Sequence, residues 1–168
     1  MPGTIDINDT IQQMAIQISR AGIDTPLIVG IYTGGVWIAE RLHRILELPD
    51  PMGTLDISFY RDDFSRVGLN PEVRASQLPV SIDDRNVILI DDVLYTGRTI
   101  RAALNEIFSY GRPASVSLGV LIDRTGRELP VQADFAGEKM QLQDNQQAKL
   151  SRNGEDIVLN IVDGPFDQ

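Results

Sequence analysis

A short apolar run that ends in two adjacent aspartates constrains the fold of this chain more than any other feature. Residues 87–90 read VILI, and Asp91 and Asp92 follow at once. A continuously apolar run of this length is typical of a strand buried on both faces of a parallel sheet. A loop containing Gly97 and then a helical spacing of apolar residues come next. This part of the chain therefore predicts the order strand, carboxylates, loop, helix.

Strands and helices alternate along the rest of the chain. This alternation predicts an α/β fold in which a mainly parallel central sheet is flanked by helices. Because ligands bind beyond the carboxyl ends of such strands, we expect the loops after Ile31, Ile90 and Ile122 to converge. The predicted elements are helices at 10–20, 38–46 and 100–108 and strands at 27–31, 52–60, 87–90, 116–122, 132–135 and 157–162.

Length and composition limit the possible classes of protein. The 168 residues, 42% of them hydrophobic, are expected to form a single domain over residues 1–168. Residues 61–79 carry few apolar anchors and predict a mobile loop. A formal net charge of −9 argues against a general nucleic-acid binder. The absence of cysteine and the single His43 exclude thiolate and multi-histidine metal sites.

Membrane and targeting signals are not seen in the sequence. No apolar stretch approaches the roughly 20 residues of a membrane-spanning helix. The first residues, MPGTIDINDTIQQ, are polar and acidic where a signal peptide would be basic and then apolar. We therefore expect a soluble, cytoplasmic protein with no membrane partner.

The loop after the aspartates has the properties of a phosphate seat. It joins a buried strand to a helix, so backbone N–H groups and the helix dipole face one small volume. Gly97 permits close backbone approach, and Thr96 and Thr99 add hydroxyl donors. Asp91 and Asp92 stand where they can span two ribose hydroxyls or hold a hydrated Mg²⁺. A phosphate seat one sugar length from paired carboxylates describes a 5-phosphorylated ribose.

Other interpretations of the same pattern were compared with the sequence. A plain strand end with a capped helix behind it has the same local signature, although the complete strand, carboxylates, loop and helix favour a binding site. A P-loop ATPase needs G-x-x-x-x-G-K-[ST], and a phosphoacceptor receiver domain needs a lysine at a late strand end. The only lysines are Lys139 and Lys149, which fit neither pattern.

The motifs together carry a resemblance to a known family. Residues 87–99, VILIDDVLYTGRT, resemble the phosphoribosyl pyrophosphate (PRPP) signature of type I phosphoribosyltransferases. VGIYTGG at 29–35, LDISFYRDDFS at 55–65 and LIDRTGRELPVQADFAG at 121–137 resemble the pyrimidine operon regulators of that family, in the same order. The resemblance implies the type I phosphoribosyltransferase fold, with a mobile active-site loop at about 61–79 and a small hood at about 124–150.

The resemblance also implies an activity. It is that of a uracil phosphoribosyltransferase, which forms UMP and diphosphate from uracil and PRPP with Mg²⁺. The same proteins regulate pyrimidine biosynthesis genes in response to UMP or other pyrimidine nucleotides, in some relatives through an RNA leader. A homo-oligomer, either a dimer or a tetramer, is implied as well.

Roles for individual residues follow from the resemblance. Asp91 and Asp92 contact the ribose hydroxyls and, through PRPP and water, Mg²⁺. Arg61 reaches the diphosphate when the mobile segment closes. The residues implied for the 5-phosphate are Tyr95, Thr96, Gly97, Arg98 and Thr99. Thr33 and Gly34 lie in the implied diphosphate loop, where a strained or cis peptide is common in the family. The residues implied to frame the base are Asp123, Arg124, Asp134, Phe135 and Ala136. Phe135 is the stacking candidate.

The chain departs from the family pattern at two places. Relatives commonly read Gly-Ile-Lys-Thr-Arg-Gly where residues 30–35 read Gly-Ile-Tyr-Thr-Gly-Gly, so two cations are missing from the diphosphate loop and catalysis is expected to be weaker. Relatives that bind RNA carry a histidine where this chain has Gly126. The residues left for a basic RNA surface are Arg101, Arg112, Arg124 and Arg127.

Two alternative functions stay open. One is a nucleotide-sensing regulator that keeps the PRPP-binding fold with little catalysis. The other is a purine phosphoribosyltransferase, because the 5-phosphate loop is common to both kinds of transferase and the choice of base depends on hood contacts.

Overall fold

The computed structural model describes residues 5–58 and 76–164. Most of the predicted mobile loop, including Arg61, lies outside these residues. Within them, no helix has the length and apolar character needed to cross a membrane. The elements are α1 (Ile7–Ala21), β1 (Leu27–Ile31), α2 (Gly34–Leu46), β2 (Gly53–Leu55), β3 (Asn86–Leu94), α3 (Arg98–Tyr110), β4 (Ser115–Arg124), β5 (Phe135–Met140), β6 (Gln146–Asn153) and β7 (Asp156–Asp163).

Five strands form a parallel sheet, which confirms the predicted fold class. Their order is β2-β1-β3-β4-β5, and every neighbouring pair is parallel. The chain leaves β1 toward β2 on one side and then returns to place β3 on the other side of β1. The strand order therefore reverses between β1 and β3, and ligands of open α/β sheets bind beyond the carboxyl ends of the strands at this switch point.

Both faces of the sheet are covered, which explains why the central strands are continuously apolar. On one face, Ile88 and Ile90 pack with α1 and α2 side chains such as Met14. On the other face, Leu89 packs with α3 side chains such as Ile107. Burying each aliphatic side chain of this size contributes about 1.5–3 kcal/mol.

One apolar residue of α3 does not face the core. Phe108 is 56% exposed, whereas its neighbour Ile107 is fully buried. Consecutive residues of a helix lie about 100° apart around its axis, so the face that places Ile107 against the sheet turns Phe108 toward solvent.

The region predicted as the hood, residues 124–150, is divided between the central sheet and a separate hairpin. The strand predicted at 132–135 begins at Phe135 and continues to Met140, and it is an edge strand of the central sheet. The separate piece is an antiparallel hairpin of β6 and β7 that reaches Asp163. The strand predicted at 157–162 is present as β7, but β6 was not predicted because its sequence, QQAKLSRN, is polar and lacks alternation.

The strand predicted at 52–60 is shorter in the structure and ends at Leu55. Its neighbour Asp56 is buried. The backbone N–H and the hydroxyl of Ser58 both donate to Asp56 Oδ1, at 2.9 and 2.5 Å. These bonds allow a carboxylate to be buried at the carboxyl end of β2.

Candidate active site

The two aspartates lie in the last part of β3, which extends beyond the strand predicted at 87–90. Asp91 is 5% exposed and Asp92 is half-buried. The Asp91 carboxylate accepts the backbone N–H of Asp92 at 2.8 Å, and the Asp92 carboxylate accepts that of Val93 at 2.7 Å. Successive side chains of a strand point to opposite faces, so the two carboxylates diverge, as the sequence predicts.

The edge of β3 that carries these aspartates lies at the switch point, where open α/β sheets form a ligand-binding crevice. Its pairing with β1 ends at Gly30 and Ile90, whereas its pairing with β4 continues to Leu94 and Asp123. In the described part of the chain, the loop between β1 and α2 lies where β1 has ended. The loops after Ile31 and Ile90 therefore converge, as predicted.

Two glycines bring the β1–α2 loop directly against β3. A Cβ atom added to Gly34 would lie 2.4 Å from Asp92 Oδ2, and one added to Gly35 would lie 2.6 Å from the carbonyl oxygen of Ile90. The Tyr32–Thr33 peptide bond is cis, in the loop where the family resemblance implies such a bond. The loop thus places the first turn of α2 beside the Asp92 carboxylate.

The N-terminus of α2 is arranged to favour an anion. Thr33 is the N-cap residue but makes no side-chain capping bond, and the first turn contains no acidic residue. A helix N-terminus carries about half a positive charge and N–H groups without intrahelical partners. An anionic group in the crevice would therefore be attracted to this end of α2.

The loop between β3 and α3 has the same features. Gly97 is the N-cap residue of α3, with a φ of 96°, and has no side chain with which to cap the helix. This φ lies in the left-handed region, which glycine adopts without steric cost. The Arg98 N–H donates to Thr96 Oγ1 at 3.2 Å, and the first turn again lacks an acidic residue. Two helix N-termini therefore face the carboxyl edge of the sheet.

The connection between β4 and β5 holds the β3–α3 loop by its backbone. Glu128 and Leu129 both donate their N–H groups to the Thr96 carbonyl at 3.0 Å. The Glu128 carboxylate also pairs with Arg98 at 3.3 Å, where both side chains are about half exposed. The loop is thus fixed from outside rather than only by its own turn.

Arg127 makes a second link to the same loop. Its guanidinium donates to the Tyr95 carbonyl at 2.5 Å and pairs with Asp123 Oδ1 at 2.6 Å. Asp123, predicted to frame the base, therefore already holds a cation. Arg127, predicted as part of an RNA surface, is occupied within the chain.

Arg124 is buried rather than exposed to a ligand. It is 3% exposed, and its guanidinium lies 3.9 Å from the centre of the Tyr95 ring. It donates to the carbonyls of Gln146 at 2.6 Å and Gln143 at 3.1 Å. Burial lowers the pKa of Arg124, and Tyr95 and Asp144 act in the opposite direction. An arginine still keeps its charge at physiological pH.

Three residues predicted to frame the base lie elsewhere. Phe135 is 7% exposed in the core and pairs in register with Gly119, below the carboxyl edge. Asp134 accepts the N–H of Leu118 at 2.8 Å. Both backbone groups of Ala136 bond to the side chain of Gln17 on α1. These residues help to complete the edge of the sheet, and their contact with the base stays a prediction.

The part of the chain that follows the carboxyl end of β5 was missed by sequence reasoning. Residues 141–147 follow Met140 and include the first two residues of β6, and Arg124 binds two of their carbonyls. Their sequence, QLQDNQQ, has no periodicity and no charged motif that would have singled them out. Among residues 5–58 and 76–164, no group of three or more His, Cys, Asp or Glu side chains could hold a metal ion.

Comparisons with known proteins agree with this geometry. The family described as phosphoribosyl transferase domain matches residues 4–150. A bifunctional protein PyrR of Nitrosococcus oceani is 60% identical over 128 residues, which cover 75% of this chain and 72% of that protein. A second, of Pseudomonas syringae pv. tomato, is 50% identical over 159 residues, covering 92% and 93%.

Solved structures show the same fold. A hypoxanthine-guanine phosphoribosyltransferase of Bacillus anthracis has a TM-score of 0.65 at 19% identity, covering 83% of this chain and 85% of that chain. A hypoxanthine phosphoribosyltransferase of Trypanosoma cruzi has a TM-score of 0.61 at 23% identity, covering 91% and 84%. By sequence match and relatives alike, this chain belongs to the phosphoribosyl transferase domain family, among the proteins named bifunctional protein PyrR.

Proposed function

We propose that this chain is a uracil phosphoribosyltransferase that forms UMP and diphosphate from uracil and PRPP, and that it regulates pyrimidine biosynthesis genes in response to pyrimidine nucleotides. The observation that carries the catalytic part is the position of Asp91 and Asp92 between two helix N-termini at the switch point of the sheet. Kinship with PyrR proteins and the sequence resemblance support the choice of uracil and the regulatory role.

PRPP would lie across the crevice with its 5-phosphate toward α3 and its diphosphate toward α2. Its 5-phosphate would bind the loop from Tyr95 to Thr99, where the N-terminus of α3 supplies N–H donors. Its ribose hydroxyls would reach Asp91 and Asp92. Its diphosphate would lie near Thr33 and Gly34 at the N-terminus of α2, and Arg61 remains proposed on the sequence alone.

Mg²⁺ suits the donor set of this site. Magnesium keeps several waters and is usually held by one or two carboxylates together with substrate phosphates, rather than by a cage of protein ligands. Asp91 and Asp92 provide hard oxygen donors of this kind and would hold the ion through water. When bound with PRPP, Mg²⁺ neutralises charge on the diphosphate.

The proposed reaction exchanges one bond at the anomeric carbon for another. The bond to the diphosphate oxygen breaks while a nitrogen of uracil forms the new bond and releases its proton to water or to the departing diphosphate. Bond breaking runs ahead of bond formation, so positive charge builds on the ribose ring. A carboxylate that is already fixed near the ring stabilises that charge as it develops, and this preorganisation lowers the barrier. The bonds that Asp91 and Asp92 accept from the β3 backbone hold the carboxylates in place.

The uracil ring would lie beyond the end of β4. Asp123 and Arg124 are proposed to form that side through their backbone and their partners within the chain. The Asp123 carboxylate pairs with Arg127, and the Arg124 guanidinium binds the Gln146 carbonyl. Residues 141–147 would form the opposite wall. This arrangement replaces the predicted wall of Asp134, Phe135 and Ala136.

A specific observation favours a second candidate, a nucleotide sensor with little catalysis. The β1–α2 loop carries no cation, and a side chain at Gly34 would collide with Asp92. A leaving diphosphate would then depend on N–H groups, Mg²⁺ and Arg61. A purine transferase is the remaining alternative, since the 5-phosphate loop does not select the base.

Incubation with Mg–PRPP and radiolabelled uracil, hypoxanthine or guanine distinguishes these functions. The proposal predicts UMP from uracil and no purine nucleotide. Formation of IMP or GMP with no UMP would replace it by the purine alternative. UMP binding without turnover of any base would leave the sensor.

Regulation through an RNA leader would require a local basic surface. Arg124 and Arg127 are engaged with carbonyls and Asp123, so Arg101 and Arg112 are the members of the predicted set that remain exposed. We propose that any RNA affinity is weak at physiological salt. Titration of a pyrimidine operon leader with and without UMP measures this, and submicromolar binding would contradict it. The proposed dimer or tetramer is measured by sedimentation.

A further inference from the structure

Arg124 connects two parts of the candidate site that are distant in sequence. Its guanidinium stacks on the ring of Tyr95, the residue that begins the 5-phosphate loop. The same guanidinium donates to the carbonyls of Gln143, which lies between β5 and β6, and Gln146, which begins β6. One planar group therefore contacts both the loop proposed for the phosphate and the wall proposed for the base.

The geometry of these contacts is rigid. The five N–H donors of a guanidinium lie in a fixed plane, so the positions of the two carbonyls set the orientation of that plane. The Tyr95 ring packs on the face of this plane, with its centre 3.9 Å from Arg124 Cζ. A cation–π contact of this kind is stronger when it is removed from water. With 3% exposure, Arg124 has little surface to offer a ligand.

A second link to the 5-phosphate loop serves as a comparison. Arg127 binds the Tyr95 carbonyl and the Asp123 carboxylate, so it ties that loop to the end of β4. Within the described residues its guanidinium binds Leu94, Tyr95 and Asp123 and does not reach residues 141–147. Arg124, in contrast, contacts both the 5-phosphate loop and the base wall.

We propose that Arg124 is a positioning residue that fixes the distance between the 5-phosphate loop and the base wall at residues 141–147. A nucleotide binds both places at once and gains from this fixed spacing, whereas ribose 5-phosphate binds the phosphate side alone. The inference rests on the proposed function, because it assumes that the crevice holds a pyrimidine nucleotide. It replaces the direct substrate contact that the sequence predicts for Arg124.

The test compares the affinity for UMP with the affinity for ribose 5-phosphate by calorimetry. Arg124→Met removes the charge and the planar donors at similar length, and Arg124→Lys keeps the charge but loses the plane. Arg152→Met is the matched control, since Arg152 also lies over an aromatic ring, that of Trp37. Unlike Arg124, the Arg152 side chain is 42% exposed, and it pairs with Glu40 on α2 rather than with the phosphate loop. Thermal unfolding of each variant shows which are folded at the temperature of the titration.

The expected result is a loss of nucleotide preference. In Arg124→Met the ratio of the two affinities falls by about tenfold, because bonds to a charged donor are lost, while ribose 5-phosphate binds nearly as in the wild type. The ratio in Arg124→Lys lies between those of the wild type and Arg124→Met, and Arg152→Met keeps the wild-type ratio. If Arg124→Met is unstable, the ratio in Arg124→Lys decides, with a drop of about threefold expected from the weaker geometry.

Two outcomes separate this inference from the function on which it rests. A wild-type protein that binds UMP no better than ribose 5-phosphate removes both the proposed nucleotide site and the role of Arg124. A wild-type protein with a clear UMP preference, kept unchanged by folded Arg124→Met or Arg124→Lys, removes the positioning role alone. Equal losses of both affinities would show a general structural role and would also overturn the proposal.

Discussion

The β1–α2 and β3–α3 units bring the same local structure to one crevice but hold it in different ways. Each places an uncapped helix N-terminus without acidic residues at the carboxyl edge of the sheet. The β3–α3 loop is fixed from outside by bonds to Thr96 and by Arg127. The β1–α2 loop carries no cation and lies on β3 through Gly34 and Gly35.

The difference matches the two ends of the proposed substrate. The 5-phosphate stays on the sugar throughout the reaction, so a rigid seat costs nothing in turnover. The diphosphate must leave, and a loop that offers N–H groups without a cation holds it less tightly. Similar helix ends can thus serve a permanent and a transient anion, depending on what supports them.

The largest expected effect is at the carboxylates between the two loops. Asp92→Asn removes the charge proposed to stabilise the ribose ring, and we expect kcat for UMP formation to fall by about 1,000-fold. Asp91→Asn should behave similarly. Steady-state kinetics give the result, and circular dichroism verifies that the fold is intact. Turnover near the wild-type level in a folded variant would remove the aspartates from the mechanism.

The close approach of the β1–α2 loop gives the next effect. Gly34→Ala places a methyl group 2.4 Å from Asp92 Oδ2, so the carboxylate must move. A displacement of about 1 Å in a catalytic group costs about 100-fold in kcat/KM. Overpacking costs about 1–3 kcal/mol of stability.

Gly154→Ala is the matched control for that substitution. Gly154 has a φ of 62° but no atom within 4 Å of an added Cβ. Its substitution should cost about 1 kcal/mol through backbone strain and leave kcat/KM unchanged. Equal activity losses in the two variants would show that the Gly34 contact with Asp92 is not what matters.

Adding a cation sharpens the comparison between the loops. Tyr32→Lys restores one of the two cations found in relatives, and we expect the KM for PRPP to fall by about fivefold, through attraction to the diphosphate at the surface of the crevice. The gain should shrink as salt is raised. Gly34→Arg should not help, because its Cβ meets Asp92. A higher KM in Tyr32→Lys would mean that the diphosphate does not lie at this loop.

How well the sequence predicted the site depends on the kind of residue. The position of Asp91, Asp92 and Gly97 followed from local order along one strand, one loop and one helix, since these residues are neighbours in the chain. The proposed base wall did not follow, because it depends on which part of the chain reaches the carboxyl end of β5. Phe135 has the type of a stacking residue, but the register with Gly119 places it in the core.

The arginines show the same limit. Arg124 and Arg127 look like free cations in the sequence, and their partners are mostly backbone carbonyls from other loops. A carbonyl leaves no trace in the residue type that carries it. Only the folded chain reveals that these cations are already engaged.

The smallest expected effect is at the surface of the rigid loop. Glu128→Gln removes the exposed ion pair with Arg98 but keeps the backbone bond to the Thr96 carbonyl. Exposed pairs contribute about 0–1 kcal/mol, so thermal unfolding should change little and the KM for PRPP should stay within about twofold. A large rise in KM would place the support of the loop in this ion pair rather than in the backbone.

The asymmetry of the two loops is tested most directly by titrating the wild-type protein with ribose 5-phosphate and, separately, with magnesium diphosphate. The rigid seat formed by Tyr95 to Thr99 predicts that ribose 5-phosphate binds more tightly, by about tenfold or 1.4 kcal/mol. Diphosphate binding as tight as or tighter than ribose 5-phosphate would contradict the account.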